Sequence, residues 1–154
     1  MPLPRLDAFR ADGGASGGQY ATDYSAIVNF IGWEFSFFST NDAPTTLTFG
    51  FDAGANGYFS YPVTMQVTQA QTWVSVNVPG SYSVAWTGGD GAAFSNALTT
   101  VQFIEVQVSD ANTGGQRYYV DGISVAIPEP GSLVMTGLGL LWGAFWLCHR
   151  KHPS

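Results

Sequence analysis

The 154-residue chain is long enough for one globular domain and little more. Only 10% of its residues are charged, against roughly 25% in ordinary soluble domains, and 19 are glycine. Between Tyr20 and Ile127 the sole basic residue is Arg117, facing eight acids (Asp23, Glu34, Asp42, Asp52, Asp90, Glu105, Asp110 and Asp121), so the clustered cations that phosphate contacts require are absent and no nucleic-acid partner is expected.

Cys148 is the only cysteine, which excludes an intramolecular disulfide. The fold must therefore rest on its apolar core. Residues 1–19 read as a flexible, Gly-rich segment, because Pro2, Pro4, Gly13, Gly14, Gly17 and Gly18 break any period. They also lack the apolar run of a secretory signal peptide, so export would need a start upstream.

Residues 20–127 carry the strand signals. Trp33, Phe35 and Phe37 alternate with Glu34, Ser36 and Phe38. Leu47, Phe49 and Phe51 follow with the same period. So do Val63, Met65 and Val67; Val74, Val76 and Val78; and Tyr82, Val84 and Trp86. Ile104, Val106 and Val108 come next, and residues 118–126 form the last run, with an interruption expected at Asp121-Gly122. Turns are expected at residues 41–44, 54–57, 79–80, 88–91 and 112–115, from their Gly, Pro, Asn and Asp content. Short alternating strands at this spacing predict an all-β fold, an antiparallel sandwich or barrel, and an antiparallel two-sheet β-sandwich is the form expected. No helix is expected before residue 131.

Residues 131–148 are eighteen positions without a charge. As a helix they would extend about 27 Å, near the roughly 30 Å of a bilayer core. Leu133, Leu138, Leu141, Trp142, Phe145 and Leu147 lie within this run, and only Ser132 and Thr136 are polar. A membrane helix is therefore expected, with membrane lipid as its partner. Arg150 and Lys151 follow after His149 and favour a cytoplasmic end, which would leave the β domain on the far side.

Pro128-Glu129-Pro130, the apolar segment and the basic terminus, in that order, resemble the PEP-CTERM sorting signal. The resemblance covers about residues 127–152 and implies a tail, residues 128–154, that an exosortase-type membrane protease recognises and cuts. It implies export across the inner membrane, transient anchoring, and then residence at the cell surface or in the exopolysaccharide matrix. Two prolines keep the motif out of helix and sheet, so it stays extended for a processing enzyme. Residues 100–108 and 117–125 resemble the closing strands of galactose-binding-like jelly rolls, which implies a jelly-roll form of the sandwich.

Within the β domain, aromatic rings can stack on sugars, and Trp33, Tyr58, Tyr61, Trp73 and Trp86 are the candidates. Burial in the core is the commoner fate of any one of them. Trp73 stands apart because it falls on the polar face with Ser75 and Asn77. Asp121 or Asp42, with backbone carbonyls, is the candidate calcium site, although Asp121 beside Gly122 is more often a turn residue. No other cofactor is expected.

Catalysis has little to work with. Residues 1–147 contain no His or Cys, which excludes the usual His-based triads and zinc sites. A carboxylate pair such as Glu34 and Glu105 is the remaining route to a glycosidase. The leading expectation is a non-enzymatic surface or matrix protein that binds glycan. A purely structural envelope module, a tail-anchored membrane protein and an ice-binding protein are the alternatives.

Overall fold

The computed structural model describes residues 5–12, 20–110 and 116–127. The sorting tripeptide, the expected membrane helix and its basic stop lie outside these residues. Among the described residues no helix is long and apolar enough to cross a membrane.

The chain forms two antiparallel sheets. The strands are β1 (Arg5–Asp12), β2 (Gly32–Ser39), β3 (Thr46–Asp52), β4 (Tyr58–Pro62), β5 (Val74–Pro79), β6 (Phe103–Asp110) and β7 (Tyr118–Ala126). One sheet has the order β1-β6-β3-β4 and the other β5-β2-β7. The described residues are thus mostly β, as the alternation predicts, with one short α-helix among them, α1 (Gly91–Ala97).

The core lies between the sheets and is largely aromatic. Trp33, Phe35 and Phe37 of β2 and Val76 and Val78 of β5 face Leu47, Phe49 and Phe51 of β3 and Ile104, Val106 and Val108 of β6. Trp33 is its hub, within 5.1 Å of Tyr24, 5.0 Å of Phe49 and 5.6 Å of Phe51, centroid to centroid. Edge-to-face and offset contacts of this kind add to the burial of apolar area.

Four local expectations are corrected. First, residues 5–12 are a strand inside the segment read as flexible. β1 pairs with β6 along its whole length, from Arg5↔Asp110 to Asp12↔Phe103. Its own sequence has little alternation, and the edge of β6 supplies the hydrogen-bond partners that order it. Second, residues 63–67 are not a strand but surround a 3-10 helix, Thr64–Gln66. Thr64 Oγ1 accepts from Leu47 N at 2.8 Å, and Gln66 holds the Asn77 backbone, so side-chain bonds to backbone displace the ladder. Val63 and Val67 are buried while Met65, expected on the same face, points out.

Third, residues 82–86 form a turn closed by Trp86 N to Ser83 O, with Val84 outside and Trp86 inside. Fourth, α1 overturns the expectation of no helix before residue 131; it starts at Gly91, the last residue of an expected turn. Asp90 caps it by accepting from Ala93 N at 2.9 Å, and Phe94, Ala97 and Leu98 bury one face. The interruption expected at Asp121-Gly122 takes the form of a register shift opposite Glu34 and Ser36, with Gly122 at φ 63 and β7 continuing beyond it.

Candidate functional site

The outer face of the β5-β2-β7 sheet carries three neighbouring aromatic rings, one from β2, one from β7 and one from the residue that precedes β5. On β2, Trp33, Phe35 and Phe37 point inward, so Phe38 must point outward. Phe38 pairs with Tyr119 of β7, and the β2–β5 register that joins Phe37 to Val74 brings Trp73 beside Phe38. Phe38 lies 5.4 Å from Trp73 and 6.0 Å from Tyr119, centroid to centroid. Trp73 is 52% exposed and Tyr119 44%.

Polar rows continue the same face. Two residues along β2, Ser36 pairs with Ser75 on one side and Asp121 on the other. Two further on, Glu34 pairs with Asn77 and Ser124, and Ser124 Oγ donates to Glu34 Oε1 at 3.2 Å. Rows two residues apart are separated by about 7 Å. The face therefore offers apolar ring surface at one end, with hydroxyl, amide and carboxylate groups leading away from it. Such a surface can stack on the flat face of a sugar and hydrogen-bond its hydroxyls.

The other sequence-predicted residues separate clearly. Trp33 (1% exposed) and Trp86 (3%) are core, which corrects their place among glycan-stacking candidates: a ring enclosed on both faces offers nothing to an external ligand. Tyr61 is half-buried against Trp86 at 5.1 Å. Tyr58 lies on the outer face of the other sheet, across Gly50, and its Oη donates to Glu105 Oε1 at 2.8 Å. Gln107 Nε2 donates to both Tyr58 Oη and Glu105 Oε1. Burial, and then the neighbouring Glu105 carboxylate, push the Tyr58 hydroxyl well above the ordinary tyrosine range.

Glu34 and Glu105 do not form a pair. They stand on the outer faces of opposite sheets, with the core between them, and cannot flank one glycosidic bond. Asp42 and Asp121 also stand apart. Asp42 sits in the β2–β3 turn, where Gln116 accepts from its N–H and donates to its carbonyl, whereas Asp121 belongs to the Ser36 row. Among the described residues no three His, Cys, Asp or Glu side chains gather as a metal site.

Phe38 and Tyr119 are the site residues that the sequence reading passed over. The signal was present: Phe38 is out of phase with its three inward neighbours, and of the adjacent Tyr118 and Tyr119 only one can face the core. No protein-family model, curated protein or solved structure gives a significant match to the chain.

Proposed function

We propose that the protein is a non-enzymatic glycan-binding module of the bacterial cell surface or exopolysaccharide matrix. It uses the Trp73–Phe38–Tyr119 row as its stacking surface and the Ser36, Ser75, Asp121 and Asn77 rows for hydroxyls. The observation that carries this reading is the juxtaposition of Trp73 and Tyr119, both exposed, on either side of the half-buried Phe38 on one outer sheet face. The scarcity of cations points to a neutral glycan.

In the same reading, residues 128–154 are a PEP-CTERM tail. The chain is exported, held by the apolar segment in membrane lipid, and released by an exosortase-type protease. The sandwich is a jelly roll. An eight-stranded jelly roll stacks two four-stranded sheets. Among the described residues one sheet has four strands and the other three, which supports this reading.

A second reading, a structural envelope module, draws on the same rings. Cross-strand aromatic pairs stabilise a sheet by about 0.2–1 kcal/mol each without any ligand. Binding measurements on the full chain, in a zwitterionic detergent free of sugar headgroups, separate the two. Neutral polysaccharide is expected to bind, and Trp73→Ala to weaken binding about tenfold, the equivalent of about 1.4 kcal/mol. Tyr58→Phe, on the opposite sheet, should leave binding unchanged. Equal binding by wild type and a Trp73→Ala/Tyr119→Ala variant would rule out the proposed surface. For the tail, mass spectrometry of the mature protein in its host is expected to find a form ending near Pro130; a full-length species held in the membrane would refute processing.

A further inference from the structure

The chain leaves the sandwich at one end, and that end is unlike the rest of the surface. Ile127, the last described residue, is 51% exposed; Ile31, which bonds the adjacent Ala126, is 54% exposed, and Val28, three residues before Ile31, is 77% exposed. Backbone hydrogen bonds tie Ile31 to the segments on either side and close the turn before it. Ile31 N donates to Ala126 O at 3.1 Å, Ile31 O accepts from Gly80 N at 2.7 Å, and Phe30 N closes the turn that carries Val28 by donating to Ile27 O at 3.2 Å. The segments joined by these bonds, residues 27–32, 78–80 and 122–127, contain no Asp, Glu, Lys or Arg, in a chain of net charge −6, with Asp23, Glu34 and Asp121 nearby in the chain. The opposite end of the same sheet carries Asp42 and Arg117.

Single exposed aliphatic side chains are ordinary, whereas a cluster on an uncharged surface calls for an apolar neighbour. The chain beyond Ile127 names that neighbour. If the apolar run begins at Gly131, only residues 128–130 link it to Ile127, and three extended residues span about 10 Å at most. A tether that short holds this end against the membrane from which the run emerges.

We propose that Val28, Ile31 and Ile127 form a membrane-resting face that seats the sandwich on the lipid interface with β2 and β7 pointing away from it. This rests on the reading of residues 131–148 as a membrane helix. Phe38 is seven residues from Ile31 along β2, about 23 Å at 3.3 Å per residue. The aromatic row is thereby held at the far end of the domain, toward extracellular glycan rather than lipid. Interfacial apolar side chains settle about 5–10 Å into the headgroup boundary, so the contact is shallow and leaves the row free.

The test uses the full chain with Cys148→Ser, since this is the only cysteine. Single cysteines are placed by Val28→Cys, Ile31→Cys, Asn41→Cys and Leu141→Cys, and each is labelled with an environment-sensitive fluorophore. The proteins are reconstituted in phosphatidylcholine vesicles. Val28 and Ile31 are already exposed, so labelling there leaves the core intact. The expected result is blue-shifted emission, quenching by nitroxide lipid and loss of iodide quenching at positions 28, 31 and 141, with position 41 open to iodide. If position 141 is in lipid while 28 and 31 are as open to iodide as 41, the resting face is overturned and the membrane helix stands. A position 141 open to iodide overturns both. Shielding of 28 and 31 in buffer without vesicles overturns the lipid contact in favour of self-contact.

Discussion

Gly50 and Tyr58 provide a quantitative test of how the larger sheet is built. A Cβ on Gly50 would come within 2.6 Å of Tyr58 Cζ and still closer to its oxygen. Gly50→Ala therefore forces the phenol off the sheet and breaks its 2.8 Å bond to Glu105 and its 3.2 Å bond from Gln107. A half-buried hydrogen bond to a carboxylate contributes about 2 kcal/mol. Alanine returns about 0.5–1 kcal/mol, because glycine in a strand loses more backbone entropy on folding. The net loss is about 1–1.5 kcal/mol, or about 5–10 °C in Tm for a domain of this size. In a Tyr58→Ala background the obstruction is gone, and Gly50→Ala should become neutral or stabilising by up to about 1 kcal/mol. The double-mutant cycle, followed by denaturant unfolding of the four full-length proteins, should give a coupling of about 2 kcal/mol. Additive effects would refute the argument that Gly50 exists to admit the Tyr58 ring.

Tyr58 also implies an alkaline limit. Its hydroxyl titrates higher when folded than when unfolded, so its contribution is fully present below about pH 10 and is lost as pH rises further. Tyr58→Phe should flatten the fall in stability above that pH, and an unchanged profile would remove Tyr58 as its source. The tryptophans should divide by location: Trp33→Ala is expected to destabilise by about 3–5 kcal/mol through loss of a buried ring, and Trp73→Ala by less than about 1 kcal/mol. Similar Tm losses for both would contradict the assignment of Trp73 to the surface. At the edge of β5, Gln66 donates to Asn77 O at 2.7 Å and accepts from Asn77 N at 2.8 Å. Gln66→Ala should lower stability by about 1–2 kcal/mol and promote self-association in sedimentation, because it opens a strand edge; a monomeric variant of wild-type stability would show that the edge needs no such cover.

Much of this was legible in residue order because a half-buried strand writes its own pattern. Trp33-Phe35-Phe37, Leu47-Phe49-Phe51 and Ile104-Val106-Val108 alternate with polar neighbours, and all nine side chains are buried where the alternation puts them. The same phase rule marked Trp73 as an outward ring. What residue order could not decide was set by partners distant in the chain. β1 is a strand because β6 offers it an edge, about a hundred residues away. Thr64 and Gln66 turn a strand-like run into a 3-10 helix because Leu47 and Asn77 lie within their reach. Glu34 and Glu105 are separated because their strands belong to different sheets, and Trp73, Phe38 and Tyr119 are united because theirs belong to one. Local sequence determines which face of a strand is apolar. The pairing of strands, a long-range choice governed by packing and hydrogen-bond satisfaction, determines which outward residues become neighbours, and so where a binding surface can lie.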